Sequence, residues 1–379
     1  MNDLPVTQID LSPGVIDLGI GDPDTSLLPL ELLHHSAKVF FSRGDHRPLQ
    51  YGTEQGNGYF RQVLADFLAR AYIAGVNSHS LFVTAGASSA LDLICTLYTR
   101  PGDTIFVEEP SYFLALRIFV DHGLNAVSVP IDNDGLCLEV LEEELTRHRP
   151  KFVYTIPTFQ NPSGCTLSLK RREKLVEFAQ RNNFLVVADE VYHFLAYTEV
   201  PPRPFATFVD DVEQVISVSS FSKILAPGLR LGWIQAHRSV IKRLAGSGLL
   251  DSGGGMNPFT SALVLDLIES GGLEKNILNL RSEYAVRINT LNAALHNHLP
   301  EIEYSAPHGG FFFWVRMPGI DSGKLRSQAQ GFKVNFRQGA LFSSRLGMGD
   351  RARLAFCYYG PQDIEEGIKR LRDCLAQYG

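Results

Sequence analysis

Between about residues 80 and 235 the chain alternates two hydrophobic patterns. Short, nearly unbroken apolar runs are "LFVTAG", "TIFVEEP", "NAVSVPI", "KFVYTIP", "FLVVADE", "QVISVSS" and "LRLGWIQA". Their length and β-branched content predict strands. The stretches between them, such as "ASSALDLICTLYTR", "SYFLALRIFVDHG" and "LKRREKLVEFAQRNN", carry apolar residues at helical spacing. Strand–helix alternation predicts a largely parallel sheet with helices on both faces, and strands covered on both faces are apolar throughout. Sites in such sheets lie beyond the carboxyl ends of the strands. Polar residues gather at those ends: "FVTAGASS", "FVEEPSY", "YTIPTFQNPSG", "LVVADEVY" and "VSSFSK".

Residues 258–298 read as mostly helical, ending in a long amphipathic run. The pattern then changes to "GGFFFWVRMP", "ARLAFCYYG" and a final helix, an α+β tail. The expected division is a large domain over 46–284 and a smaller one from 1–45 with 285–379. A length of 379 residues fits about two domains. A net charge of −6 gives no electrostatic case for binding nucleic acid or an anionic membrane. No apolar run approaches the roughly 20 residues that span a bilayer. The opening "MNDLPVTQID" is acidic and lacks an apolar leader, so a cytoplasmic protein is expected. Five scattered cysteines without a CxxC pair suit reduced, buried thiols and no metal site.

The candidate chemistry centres on "SVSSFSKILAPGLRLGW". Pro227-Gly228 breaks any helix here, which predicts strand, tight turn, strand. Ser220 and Ser222, two apart, would share a strand face. Hydroxyls converging with Arg230 suit a phosphate. Lys223 between them is either a charge contact or a nucleophile. A second phosphate feature is Gly86-Ala87-Ser88, where a strand ends and a helix opens with unpaired N–H groups; a serine-capped helix would look the same. No GxGxxG follows a strand and no Walker motif is present, which argues against dinucleotides and nucleoside triphosphates. Asp189 ends a strongly apolar strand and is expected to be buried. It needs either a structural ion pair, a helix to cap, or a cationic ligand atom. Asn161, in "NPSG", is either a turn residue or an amide aimed at the same crevice.

A phosphate, a ring nitrogen that wants an acidic partner, and an aldehyde that condenses with lysine occur together in pyridoxal 5′-phosphate. Lys223 would then form the Schiff base and Asp189 would keep the ring nitrogen protonated.

The sequence also resembles the class I/II, fold-type-I aminotransferases, in motif order from about residue 16 onward. "SFSKILAPGLRLGW" is similar to the family's Schiff-base signature; "PTFQNPSG", "ADEVY", "VEEPSY", "LQYGTEQGNGYFRQVLADFL", "PHGGFFFW" and "RLAF" resemble its other signatures. The resemblance implies a fold-type-I α/β architecture, with a mostly parallel seven-stranded sheet between helices and a smaller α+β domain. It implies that Lys223 is the Schiff-base lysine, that Asp189 pairs with the pyridinium nitrogen, and that Tyr192 and Asn161 hydrogen-bond the ring's 3′ oxygen. Tyr112 would stack on the ring. Ser220, Ser222, Arg230 and the Gly86-Ala87-Ser88 helix start would hold the phosphate, with Ala87 where many relatives have serine. Tyr51 would reach the phosphate of a neighbouring subunit, implying a homodimer with shared sites. Arg353 would bind the substrate α-carboxylate, helped by backbone near Gly21. Arg351, two residues earlier, shares the strand face, but only Arg353 directly precedes the family-like Leu-x-Phe.

The implied reaction moves an amino group from an L-amino acid to a 2-oxo acid. The nearest subgroup by resemblance acts on aromatic amino acids, kynurenine and 2-aminoadipate. Elimination, cyclopropane-forming or oxidase chemistry on the same scaffold is the alternative, and a ligand-sensing regulator a remote one. The family-like region starts near residue 16, which leaves no room for a DNA-binding domain in this sequence. No second arginine demands a dicarboxylate. The glycine-rich "LLDSGGGMNPFTS" either shapes the substrate pocket or is a flexible surface loop.

Overall fold

In the computed structural model of the chain, residues 6–9, 11–345 and 347–378 are described; the first five residues of the acidic opening segment lie outside them. A two-residue strand, β1 (Ile16–Asp17), and helices α1 (Leu30–Ser42) and α2 (Gly58–Tyr72) precede the main sheet. Asn57 starts α2 by accepting from the N–H groups of Tyr59 and Phe60, and Ile73 ends it in the left-handed conformation.

The main sheet is built from β2 (Leu81–Thr84), β3 (Thr104–Glu109), β4 (Asn125–Asp132), β5 (Gly135–Leu136), β6 (Phe152–Thr155), β7 (Leu185–Asp189), β8 (Val215–Ser220) and β9 (Gly232–Ala236). Their order is β2-β9-β8-β7-β6-β3-β4-β5. The seven predicted runs supply seven of these strands; the eighth, β5, is a two-residue edge strand closing a hairpin on β4. Strand β9 runs antiparallel to both β8 and β2, so β2, β3, β4, β6, β7 and β8 all end at one edge of the sheet.

Helices α3 (Ala87–Tyr98), α4 (Phe113–Asp121), α5 (Leu138–Arg147), α6 (Leu169–Asn182) and α7 (Arg238–Ala245) connect or follow these strands. The sheet is buried on both sides, as apolar runs require. On β7, Val187 packs into one apolar cluster, while Val186 and Ala188 pack into the other, with α5 and α6.

After α8 (Gly248–Gly253) and α9 (Pro258–Glu269) comes α10 (Gly272–His298), roughly 40 Å long at 1.5 Å per residue. A second sheet follows in the order β10-β13-β12, from β10 (Phe312–Arg316), β12 (Arg337–Gln338) and β13 (Arg351–Ala355). Helix α11 (Ser322–Ala329), strand β11 (Val334–Asn335), which pairs with β1, and α12 (Pro361–Leu375) complete the chain.

Two local expectations change. Strand β8 stops at Ser220, so Ser222 lies in the turn and not on a shared strand face. The serines still meet, because the Ser220 hydroxyl bonds Ser222 Oγ at 2.8 Å and accepts from the Ser222 N–H at 3.1 Å. The returning strand begins at Gly232 rather than Leu229, because Arg230 takes a left-handed conformation at φ +47°. The glycine-rich segment is also no free loop. Gly255 bridges Gly52, and a Cβ on Gly255 would stand 1.8 Å from the Thr53 carbonyl oxygen. Only glycine allows that backbone approach.

Candidate active site

The shared strand edge gathers the polar residues. Going across the sheet, β2 leads to Gly86, β9 is preceded by Arg230, and β8 leads to Ser220, Ser222 and Lys223. Strand β7 ends in Asp189, β6 leads to Asn161, and β3 leads to Tyr112, which stands immediately before α4.

Helix α3 opens at Gly86, at φ +94°, with no side chain capping its first N–H groups. That separates it from a serine-capped helix and leaves its positive end open to an anion. Arg230 lies against this turn: a Cβ on Gly86 would be 2.9 Å from Arg230 Nη2. The guanidinium donates to Ala85 O at 3.0 Å and to Pro227 O at 3.1 Å. Ser88 is exposed, Ser220 is buried, and the Ser220 hydroxyl also donates to Leu231 O at 3.2 Å.

Asp189 is 4 % exposed. Its Oδ2 accepts from the Tyr154 hydroxyl at 2.9 Å, while Oδ1 has no partner among the described residues. Burial pushes its carboxyl up to about 6. The structural ion pair that its strand position allowed belongs instead to the next residue. Glu190 faces Arg172 at 3.8 Å and accepts from the N–H groups of Phe205 and Ala206 and from the Ser217 hydroxyl. Alternation along the chain sends Asp189 toward the crevice and Glu190 into a satisfied structural network.

Lys223 Nζ donates to Gly21 O at 2.9 Å and stands 5.4 Å from the centre of the Phe311 ring. Burial lowers its basicity below the ordinary lysine range. Arg353 lies in the middle of β13, between β10 and β12. It donates to Asn161 Oδ1 at 3.0 Å and to Gly19 O at 2.8 Å, and its guanidinium sits 4.0 Å over the Phe312 ring. Its Nε has no partner among the described residues, and burial pulls its pKa down to about 10. Arg351, at the start of β13 opposite Arg316, is only half-buried. Tyr192 is buried against Phe311 and Phe312 at 5.5 and 5.9 Å, and burial raises its hydroxyl. Burial likewise pushes Tyr112 up to about 12. Tyr51 stands apart on the surface at 83 % exposure, beside the Gly52–Gly255 bridge.

Sequence reasoning missed Tyr154, which looked like one more apolar strand residue. Its signal is register: Tyr154 pairs with Val187, two residues before Asp189, which puts both polar groups on one sheet face. Phe311 and Phe312, which back Lys223 and Arg353, entered only as part of the family-like "PHGGFFFW", and Asp22 was not singled out.

A family model, aminotransferase class I and II, matches residues 13–371. The chain belongs to this family. It is therefore a pyridoxal-phosphate-dependent aminotransferase. Among curated relatives, aromatic-amino-acid aminotransferase 1 of Thermococcus litoralis is 34% identical over 371 residues, covering 96% of this chain and 88% of the relative. The multiple substrate aminotransferase of Thermococcus profundus superposes with a TM-score of 0.90 at 33% identity, covering 97% of this chain and 92% of that one. The kynurenine aminotransferase of Pyrococcus horikoshii, whose crystal structure contains PMP, superposes with a TM-score of 0.91 at 32% identity, again over 97% and 92%.

The aminotransferase's own geometry fits the cofactor. The orphaned Oδ1 of Asp189 is a buried acceptor for a ring N–H. The uncapped start of α3, with Arg230 and the serine pair, offers phosphate donors. Lys223 Nζ lies in the same crevice.

Proposed function

We propose that this aminotransferase uses Lys223 to hold the cofactor's carbonyl carbon and Asp189 to keep the ring nitrogen protonated. Tyr192 and Asn161 bond the ring oxygen and Tyr112 lies on the ring face. The phosphate rests among Gly86, Ala87, Ser88, Ser220, Ser222 and Arg230. The observation that carries this reading is the unpartnered Oδ1 of Asp189, at a strand end where a buried carboxylate otherwise costs stability.

When bound, pyridoxal phosphate carries the amino group and withdraws electrons from the substrate Cα. The chain's residues supply the rest. Arg353 and Asn161 hold the α-carboxylate, with the Gly21 backbone beside them. That grip aims the Cα hydrogen at Lys223 Nζ. Lys223, less basic than an exposed lysine, can shed its own proton and take the one at Cα. Phe311, Phe312 and Tyr192 shield this transfer from water.

The aromatic wall, including Phe342 at 5.1 Å from the Arg353 guanidinium, favours apolar and aromatic L-amino acids as donors, with 2-oxo acids as acceptors. The relatives' names support the same class. A donor and acceptor screen tests it. Equal yields of a 2-oxo acid and a new amino acid are expected from phenylalanine, tyrosine or leucine. Release of ammonia, an olefin or peroxide instead would overturn the reading.

We also infer a homodimer in which Tyr51 completes the partner subunit's phosphate site. Its exposure supports this, as does its backing by the Gly254-Gly255 segment. Light scattering should give at least a dimer, and Tyr51→Phe should weaken cofactor retention without unfolding the chain. A monomer at working concentration would count against the shared site. The inferred domains are 46–284, and 1–45 with 285–379. Their boundary falls inside α10, which makes that helix the connector. Among the described residues no helix is long and apolar enough to cross a membrane, and a cytoplasmic location is part of the proposal.

A further inference from the structure

Asp22 is a carboxylate outside the proposed cofactor and α-carboxylate sites. It directly follows Gly21, whose carbonyl oxygen lies 2.9 Å from Lys223 Nζ. Across a trans peptide a carbonyl oxygen and the next Cα are roughly 3 Å apart. The Cα of Asp22 is therefore within about 6 Å of the lysine nitrogen.

The segment is held on both sides. Upstream, Gly19 O accepts from Arg353 at 2.8 Å, and the Gly19 N–H donates to Asp17 at 2.8 Å. Downstream, the Asp24 N–H donates to Cys357 O at 3.2 Å, and the Asp24 carboxylate pairs with Arg287 at 2.6 Å. Pro23 stiffens the link between the anchors.

Asp22 itself is half-buried and forms no hydrogen bond or ion pair among the described residues. Its charge nevertheless acts on three groups of the crevice: Lys223, Tyr112 and Cys357. Arg337, the arginine on the strand beside Arg353, is engaged by Asp17 at 3.3 Å. Asp22 thus offers a carboxylate with no partner among the described residues, on a backbone whose Cα is within about 6 Å of Lys223 Nζ.

We propose that Asp22 is a specificity-determining residue that sets the charge preference for the substrate side chain. Beside the apolar and aromatic side chains that the aromatic wall favours, it admits cationic or hydrogen-donating ones and disfavours anionic ones. The inference rests on the reading of Arg353 as the α-carboxylate holder. From that anchor the side chain is directed past Gly21 and Asp22.

Three unreactive monoanchored acids test it by calorimetry on the cofactor-loaded enzyme. Hexanoate ends in a methyl group, adipate in a second carboxylate, and 5-guanidinopentanoate in a cation too weakly nucleophilic to condense with a carbonyl. The parent should bind 5-guanidinopentanoate at least about tenfold more tightly than adipate, as expected for one unit charge several ångströms away at a partly screened site. Asp22→Asn should shrink that ratio roughly tenfold, and Asp22→Lys should invert it. Any general effect of the substitution on Lys223 acts on all three acids and cancels in the ratio. A ratio unmoved by either variant, with hexanoate still binding, would overturn the proposal alone. Failure of hexanoate to bind the parent would remove the Arg353 reading first, and this inference with it.

Discussion

Lys223→Ala is expected to leave no measurable transamination, a loss of at least about 10⁴-fold. The lysine has two tasks in the proposed site, and alanine removes both. One is the covalent hold on the cofactor; the other is the proton transfer at the substrate Cα. Its Nζ is held in the crevice by Gly21 O and by the Phe311 face, just beyond the end of β8. The independent readout is chemical. Borohydride should fix the cofactor to Lys223 in the parent, as peptide mapping will show, and to no lysine in the variant. A trapped adduct at another lysine would refute the assignment.

Asp189→Asn should retain the cofactor but lose about 10²–10⁴-fold in turnover, the range for a positioned acid–base group. The amide keeps the shape and can still accept from Tyr154, but it cannot balance a protonated ring nitrogen. Tyr154→Phe, which removes only the hydroxyl on Oδ2, should fall between parent and Asp189→Asn. Near-parent turnover in Asp189→Asn would reduce Asp189 to a structural role.

The same substitution has a stability signature in the cofactor-free protein. Asp189 has an ordinary pKa of 3.8 and is raised to about 6 in the fold. Between those values the folded chain keeps a proton that the unfolded chain has released. Stability therefore falls as pH rises through that window, by on the order of 3 kcal/mol in total. Asparagine does not titrate. The variant should gain thermal stability relative to the parent between pH 4 and pH 6 and hold that gain above it. Cofactor binding, which pairs the carboxylate, should cancel the difference.

The strands and their polar ends were legible because a sheet buried on both faces must be apolar until its residues meet the site. That pattern by itself puts Asp189, Lys223 and Asn161 at or just beyond strand ends. What the structure adds is the reason that Asp189 rather than its neighbour lacks a mate: Glu190 is satisfied by Arg172 and its backbone donors. Tyr154 became visible only through the register of β6 against β7. Asp22 and Phe312 became visible only when the N-terminal segment and the second sheet met the main sheet. Face parity placed Arg351 and Arg353 alike, but depth along β13 separates them, and depth depends on neighbours that local patterning does not encode.

The contacts that close the crevice join points far apart along the chain. Lys223 reaches back 202 residues to Gly21, Arg353 reaches 192 to Asn161, and Arg353 reaches 334 to Gly19. A nascent chain emerging from the ribosome can pair β2 to β9 long before residue 353 is made, yet it has no grip for a substrate carboxylate until then. Long-range contacts of this kind also form late because loop closure must be paid in entropy first. Competence thus arrives at the end of folding, and a chain caught part-way can hold most of its sheet without being able to turn anything over.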